Sequence, residues 1–277
     1  MILLADGGST KVDWRLLDGE KEIKKLSTGG INPYFHTTEE INEELKKSVL
    51  PAFCDYNITS VYFYGAGCTP EKKDIIRDAL TNNLHIKEVY VDSDLLAAAR
   101  GLCGRDKGIA CILGTGSNSC YYDGEKITDN VSPLGYILGD EGSGAVLGKL
   151  FIGACLKNQL AQDIREAFLD EYGLTSAMII EKVYRRPLAN RLLASFAPFI
   201  LKYIDNESVY NLVYVAFNEF FVKNVMQYDY KNNLVHFTGS VAYHFRDILH
   251  RVGEDLDIEI GIIAKSPMER LIKHHSK

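Results

Sequence analysis

The sequence predicts an α/β protein built from two related domains, and three observations support this. A strand, a glycine-rich turn and a second strand occur twice, at residues 1–17 and 109–122. Each copy is followed by the same four residues, Asp-Gly-Glu-Lys, at 18–21 and 123–126. Further apolar strands and amphipathic helices come after each copy. Because only two copies exist, they indicate two related domains rather than a solenoid.

The composition limits the function classes. The chain has 277 residues, 46% hydrophobic and 25% charged, as expected of a globular protein with one large or two ordinary domains. The net charge of -6 and the lack of a long basic run argue against nucleic acid as a partner. The longest apolar stretch, 192–201, is too short to span a bilayer. The first residues lack a basic segment followed by an apolar one, so we expect no signal peptide. Six cysteines without a C-x-x-C pair indicate reduced thiols, so we expect a cytoplasmic protein without a membrane partner.

The first turn has the residues of a phosphate-binding loop. The apolar strand 1–5 leads into Asp6, Gly7, Gly8, Ser9, Thr10 and Lys11, and the alternating strand 12–17 follows. Glycines allow backbone N–H groups to face inward, and such a nest suits a phosphate. Asp6, at the end of the strand, could hold a metal ion through water. The alternative is a plain hairpin with glycines for geometry.

The second turn repeats this plan. The strand 109–113 leads into Gly114, Thr115, Gly116, Ser117 and Asn118, and the strand 119–122 follows. Two facing hairpins, each with a loop suited to bind phosphate, predict that a nucleoside triphosphate binds in a cleft between two domains.

The first domain is predicted to contain three strands, a helix, a strand, a helix, a strand and a helix. The third strand covers 22–26, and a loop follows at 27–33. Thr37 and Glu40 form a capping-box pattern for a helix over 37–50. A strand at 61–64 precedes a helix that Thr69 caps. The strand 89–92 precedes a short helix at 94–100, and 101–108 crosses into the second domain.

The second domain continues with a third strand near 126–131 and a long helix over about 144–160. Residues 160–230 are predicted to be helical and carry no recognisable chemical motif. The strand 234–237 leads into Thr238-Gly239-Ser240 and a helix to about 252. A last strand at 257–264 precedes a final helix that starts at Pro267. We therefore expect domains at 1–106 and 107–264, with a helical insertion at about 160–230 and the option that 265–277 joins the first domain.

The chain resembles the sugar kinase, heat-shock ATPase and actin superfamily. The resemblance lies in the two loops, the late Thr-Gly-Ser turn and the segment Gly139-Asp140-Glu141-Gly142-Ser143. The resemblance implies two ribonuclease H-like domains, the actin-like ATPase fold, with ATP between them. Within the superfamily the chain most resembles the N-acetylglucosamine kinase group. That group is classed with the activator ATPases of benzoyl-CoA reductase and 2-hydroxyacyl-CoA dehydratase.

The resemblance also implies roles for residues that match its motifs. Residues 6–11 and 114–117 would bind phosphate, and the turn with Gly239 and Ser240 would bind adenosine. Asp94 would be the catalytic base. A last set would bind the sugar: Asn32, Asn118, Gly135, Tyr136, Asp140 and Glu141.

The residues themselves leave alternatives open. Asp94 could accept a proton from a sugar hydroxyl or merely cap its helix, and Asp92 is a rival carboxylate. Asp140 could bind sugar hydroxyls or cap the long helix. Asn32 could bind sugar or be a turn residue before Pro33. Glu141 could assist the sugar or the metal, and Tyr136 could stack on a sugar face.

Together with these residues, the resemblance implies an ATP- and Mg²⁺-dependent kinase that phosphorylates N-acetylglucosamine or glucosamine at O6. Analogy with the family implies a homodimer. Two alternatives from other classes remain. One is an activator ATPase with an iron–sulfur cluster shared through cysteines between two subunits, and the other is a non-catalytic sugar or ATP sensor.

Overall fold

The computed structural model describes residues 1–8 and 10–276. The chain forms two compact units, Met1–Arg105 with Pro267–Lys277, and Asp106–Ser266. Each unit contains a five-stranded mixed sheet covered by helices.

The sheet of the first unit follows the predicted strands. Its strands are β1 (Ile2–Gly7), β2 (Lys11–Asp18), β3 (Lys21–Gly29), β4 (Ser60–Gly65) and β5 (Glu88–Ser93). The spatial order is β3-β2-β1-β4-β5, with β1 antiparallel to β2 and parallel to β4. The third strand extends to Gly29, so it takes up part of the predicted loop at 27–33.

Alternation along β2 places most of its apolar side chains on one face. Val12, Trp14 and Leu16 are fully buried, while the intervening residues are at least partly exposed. The indole Nε1 of Trp14 donates to Thr28 Oγ1 at 3.0 Å, so the one polar group of this large side chain is paired inside the core.

The helices of the first unit differ from expectation at two points. They are α1 (Thr38–Glu44), α2 (Leu50–Phe53), α3 (Lys73–Leu84) and α4 (Asp94–Cys103). The capping box of Thr37 and Glu40 is confirmed. The predicted helix over 37–50 is interrupted by a π-helical turn, Leu45–Val49, which sequence periodicity does not reveal. The predicted cap at Thr69 is wrong, because the carbonyl of Thr69 closes a separate turn and α3 begins at Lys73.

The final helix of the chain is Met268–His275. We call it α14, because nine helices of the second unit precede it in the chain. It packs against α4. His275 Nε2 lies 2.9 Å from the hydroxyl of Tyr64, and Arg100 donates to the same hydroxyl at 2.7 Å. The His275 ring also lies against Tyr62, with centroids 4.2 Å apart. This cluster joins the end of the chain to β4 and α4.

The cluster predicts a pH dependence of stability. Burial, with the charges of His274 and Arg100, lowers the pKa of His275 from 6.5 to about 4. Above pH 6.5 His275 is neutral in both the native and the unfolded protein, and its contribution to the free energy of unfolding is complete. Between pH 6.5 and 4 the unfolded chain binds a proton that the native protein does not, so the free energy of unfolding falls.

Chemical denaturation between pH 7 and 4 measures this effect. We expect His275→Phe to flatten the pH dependence over that interval, while the exposed His250→Gln leaves it as in the wild type. Equal slopes for His275→Phe and the wild type would contradict the assignment.

The second unit repeats the sheet topology. Its strands are β6 (Gly108–Leu113), β7 (Ser117–Tyr122), β8 (Ile127–Asp129), β9 (Val235–Thr238) and β10 (Ile260–Ala264). In both units the spatial order is third, second, first, fourth and fifth strand. This identity confirms the internal repeat and the predicted α/β class with two ribonuclease H-like domains.

Helices cover the second sheet, and most of residues 160–230 are helical, as predicted. They are α5 (Gly135–Leu138), α6 (Gly144–Leu156), α7 (Gln162–Tyr172), α8 (Ser176–Arg185), α9 (Ala189–Ala194), α10 (Ala197–Lys202), α11 (Glu207–Lys223), α12 (Ser240–His244) and α13 (Arg246–Asp255). Phe151, Phe168, Phe196 and Phe199 pack edge to face in the buried core, with centroids 5.1–5.6 Å apart. Across residues 1–8 and 10–276, no helix is both long and apolar enough to cross a membrane.

Candidate active site

The first predicted phosphate loop is a tight turn between β1 and β2. The N–H of Gly8 donates to the carbonyl of Lys11 at 2.8 Å and closes the turn. Because this N–H is already bonded, a phosphate would have to use the other groups of the loop. Thr10 and Lys11 are exposed, and Asp6 is half-buried at the end of β1. Ser9 lies outside the described residues.

The second loop rests on the start of α6. The N–H of Gly144 donates to the carbonyl of Gly114 at 2.8 Å, and that of Ala145 donates to Thr115 at 3.1 Å. These amides hold the loop rather than a ligand. Thr115 is exposed, so the loop presents its tip to solvent.

The turn at Gly239 packs directly against the second loop. Gly239 has φ +117°, and a Cβ at this position would lie 2.2 Å from the carbonyl oxygen of Leu113. Only glycine fits such a close approach and such a backbone angle. The predicted adenosine turn and the predicted phosphate loop are therefore neighbours within the second unit.

A cavity of about 380 Å³ lies where these two segments meet. Its lining includes Gly114, Thr115 and Ser240 from the predicted set. Sequence reasoning missed the rest of the wall, which consists of Ala194, Ser195, Ala197, Pro198, Leu201, Val241, His244, Phe245 and Lys265. These residues come from α9, α10, α12 and the end of β10, so a nucleoside could lie between apolar helices with its phosphates toward the loop.

Asp94 is the first residue of α4 but not its cap. The side chain of Ser93 accepts from the N–H of Leu96 at 3.2 Å, so Ser93 caps the helix and the cap alternative for Asp94 is wrong. Burial raises the pKa of Asp94 to about 6, although the N–H groups of Leu95 and Asp94 act in the opposite direction. A half-buried carboxylate with a pKa near neutrality has the properties of a general base.

The rival carboxylate, Asp92, is engaged locally. Its Oδ1 accepts from the N–H of Ser93 at 2.9 Å. The buried Cys68 thiol lies near both carboxylates, and burial together with these charges raises the pKa of Cys68 to about 12. Cys68 therefore stays protonated and neutral beside Asp94.

Asn32 forms the turn that the alternative assigned to it. It is buried, its Oδ1 accepts from the N–H of Tyr34 at 2.9 Å, and its carbonyl accepts from Phe35 and His36 at 3.0 Å. This side-chain oxygen belongs to the loop structure.

Asp140 faces the second loop. Its Oδ1 accepts from the N–H of Ser117 at 3.2 Å, and a Cβ on Gly116 would lie 3.1 Å from its Oδ2. The cap alternative is wrong here too, because Ser143 caps α6 through the N–H of Val146. Burial raises the pKa of Asp140, and the charge of Glu141 adds to this effect. The structure thus brings Asp140 together with Gly116 and Ser117.

The other predicted sugar residues of the second unit have structural partners. Glu141 pairs with Lys223 at 3.4 Å. The Oδ1 of Asn118 accepts from Asn130 Nδ2 at 3.0 Å. Tyr136 is half-buried against the core, Lys149 holds its carbonyl at 2.8 Å, and Gly135 is exposed with φ +74°.

The predicted metal residue, Asp6, is of the ligand type that Mg²⁺ prefers. Among the described residues, no group of three or more His, Cys, Asp or Glu side chains could hold a metal ion. Magnesium usually binds one or two carboxylates and completes its shell with water and substrate phosphates. A single carboxylate such as Asp6 beside a phosphate loop suits that mode of binding.

Comparison with known proteins decides the family. The crystal structure of a candidate N-acetylglucosamine kinase from Porphyromonas gingivalis is 52% identical to this chain, covers 100% of it and 99% of its own chain, and has a TM-score of 0.98. The chain belongs to the N-acetylglucosamine kinase family. No family model matches the sequence.

Two more distant proteins are also similar to this chain. The N-acetylmuramic acid/N-acetylglucosamine kinase of Clostridium acetobutylicum is 27% identical over 161 residues, 55% of this chain and 52% of that kinase. The match thus spans about half the length of this curated relative. A ROK family glucokinase from Streptomyces griseus, in complex with glucose and AMPPNP, is 15% identical, covers 98% of this chain and 97% of its own, and has a TM-score of 0.59. At that identity it shows the fold alone.

Proposed function

We propose that this protein is an ATP-dependent kinase that phosphorylates an amino sugar, N-acetylglucosamine or glucosamine, at O6. The observation that carries the proposal is Asp94, a half-buried carboxylate at the start of α4 whose pKa is raised to about 6. Membership of the N-acetylglucosamine kinase family supports the substrate class.

The proposed binding of ATP, the phosphoryl donor, is supported by the cavity of the second unit. An apolar slot that ends at a glycine-rich loop suits a nucleoside with its phosphates directed toward the loop. The ROK glucokinase that shares the fold was solved with an ATP analogue. Thr10 and Lys11 of the first loop would contact the β- and γ-phosphates.

Phosphoryl transfer needs a general base and groups that neutralise the charge on the phosphates, rather than covalent catalysis. Asp94 would accept the proton of the sugar hydroxyl as that oxygen bonds to the γ-phosphorus. The bond from the γ-phosphorus to the β–γ bridging oxygen breaks, and ADP leaves. Mg²⁺ held through Asp6 would neutralise charge on the phosphates. Asp140, fixed against Ser117, would orient the sugar, with Asn32, Asn118, Gly135, Tyr136 and Glu141 completing the site.

By family analogy alone, we also propose that the protein acts in the cytoplasm as a homodimer. Size-exclusion chromatography coupled to light scattering tests the second part of this proposal. A mass near twice 31.0 kDa supports the dimer, and a mass near 31.0 kDa rejects it.

Sugar-dependent release of ADP tests the function. The panel holds N-acetylglucosamine, glucosamine, N-acetylmannosamine, N-acetylmuramic acid and glucose, each with Mg²⁺ and ATP. We expect N-acetylglucosamine or glucosamine to raise ADP release at least tenfold above the sugar-free rate. If no member of the panel raises it, the amino sugar kinase proposal fails.

The same assay, together with an iron determination after anaerobic purification, separates the two alternatives. An activator ATPase would hydrolyse ATP without sugar and contain iron after anaerobic purification. Five of the six cysteines are buried and only Cys54 is exposed, which disfavours a cluster shared across a subunit surface. A sensor would bind sugar or ATP without turnover.

A further inference from the structure

The side-chain amide of Asn118 is fixed by two donors that bond its oxygen. Its Oδ1 accepts from the N–H of Ser119 at 2.9 Å and from Asn130 Nδ2 at 3.0 Å. A backbone N–H only donates, so the atom that faces it is the oxygen of the amide and not its nitrogen. Because an amide oxygen has two lone pairs, these two donors occupy both of them.

The side chain of Asn130 is itself fixed by backbone carbonyls. Its Nδ2 donates to the carbonyl of Ser119 at 2.6 Å and to that of Val131 at 3.2 Å. Because a carbonyl only accepts, the atom of the Asn130 amide on this side is its nitrogen. Neither amide can therefore be turned over without placing donor against donor or acceptor against acceptor.

This pairing leaves the side chain of Asn118 as a donor only. The residue is half-buried, and among residues 1–8 and 10–276 no group bonds its Nδ2. The preceding residue of β7, Ser117, donates its N–H to Asp140 Oδ1 at 3.2 Å, so Asn118 is next in the chain to a contact of the proposed sugar site. A donor at this place requires an acceptor on the substrate, such as a hydroxyl oxygen or the acetamide carbonyl.

We propose that Asn130 is a positioning residue, which holds the amide of Asn118 so that Asn118 donates to the sugar. The inference rests on the proposed function, in which Asn118 is one of the sugar-binding residues. Asn130 contributes through Asn118 and makes no contact with the sugar itself.

The effect of Asn130 on Asn118 can be separated from a structural role. The carbonyl of Ser119 also accepts from the buried hydroxyl of Tyr228 at 3.0 Å. That hydroxyl in turn accepts from the N–H of Val131 at 2.8 Å. Tyr228 therefore continues to join β7 to residue 131 when the amide of Asn130 is removed. We expect Asn130→Ala to keep its fold and to lose chiefly the bond to Asn118 Oδ1.

Calorimetric titration in the presence of ADP tests the proposal, with whichever of N-acetylglucosamine and glucosamine binds the wild type more tightly. We expect Asn118→Ala to raise the Kd of the sugar about tenfold, the effect of one hydrogen bond. Asn130→Ala should raise it about three- to tenfold, because the oxygen of Asn118 keeps only the Ser119 donor.

Two further readouts show whether Asn130 acts through Asn118. At saturating sugar the kcat of Asn130→Ala should stay within about twofold of the wild type, since a positioning role in sugar binding changes affinity rather than the chemical step. The double variant Asn118→Ala/Asn130→Ala should bind sugar like Asn118→Ala alone, because a residue that acts through Asn118 has no effect without it.

Asn232→Ala is the matched control. Asn232 is also exposed, and its Nδ2 also donates to a neighbouring side chain, Asp229 Oδ1, at 2.8 Å. This variant should bind sugar like the wild type. The affinity for ADP, measured in every variant, reports that the second unit is folded and should not change.

The outcomes separate this inference from the kinase proposal. Wild-type sugar affinity in Asn118→Ala or Asn130→Ala overturns the inference, and so does a double variant in which the two separate losses multiply. The kinase proposal survives these results if the wild type phosphorylates the sugar. If the wild type binds sugar without turnover and the Kd values of the variants follow the expected pattern, the kinase proposal fails and the positioning role stands. If the wild type binds neither sugar, both fail.

Discussion

Replacing Asp94 by asparagine is expected to lower kcat for the amino sugar by about 10²–10⁴-fold, the usual contribution of a general base. Asparagine keeps the shape of the side chain but cannot accept the proton. Because Ser93 rather than Asp94 caps α4, the fold should be retained. Steady-state kinetics would show a fall in kcat with little change in KM or in nucleotide affinity.

Asp92→Asn is the matched control, since it changes the neighbouring carboxylate at the end of β5. We expect it to keep most of the activity. The wild-type kcat/KM should rise with pH through about 6, as Asp94 loses its proton, and the Asp94→Asn variant should lack this rise. If Asp92→Asn is the inactive variant, the base is Asp92 and the assignment to Asp94 is wrong.

Replacing Gly239 by alanine is expected to reduce ADP affinity by more than tenfold. The added Cβ would lie 2.2 Å from the carbonyl oxygen of Leu113, and φ of +117° is a conformation that costs other residues about 1–3 kcal/mol. Either the turn or the second loop must shift, and both line the cavity that we propose binds the nucleotide. Calorimetric titration with ADP measures the loss.

Gly153→Ala provides the control for Gly239→Ala. Gly153 lies within α6, and a Cβ there would meet no described atom within 4 Å. Alanine should stabilise the helix by up to about 1 kcal/mol and leave ADP affinity unchanged. Equal ADP affinities for Gly239→Ala and the wild type would contradict the close packing of the turn against the loop.

Local sequence signals predicted the strands and loops well. Alternating residues in β2 and the Asp-Gly turns fix the hairpins, and the capping box of Thr37 and Glu40 marks the start of α1. These features depend on near neighbours in the chain. The π-helical turn at Leu45–Val49 and the start of α3 at Lys73 were not predicted, because neither changes the apolar periodicity.

The candidate site was predictable only in part. The glycine-rich loops and the Gly239 turn were found because glycines mark close backbone approaches. The walls from Ala194 to Leu201 were missed, since nothing in an apolar helix shows which cavity it will line. Lys265 was missed for the same reason, as its place depends on β10 lying beside β9. The caps at Ser93 and Ser143 were also missed, although serine is a common capping residue.

The most direct test of the central claim is to identify the phosphorylated product. Purified protein is incubated with Mg²⁺, ATP and N-acetylglucosamine or glucosamine, and the products are followed by ³¹P and ¹³C NMR. The account predicts one new phosphomonoester, coupled to C6 of the sugar, formed in equal amount with ADP by the wild type and hardly at all by Asp94→Asn. ADP that accumulates with inorganic phosphate and without a sugar phosphate would contradict it.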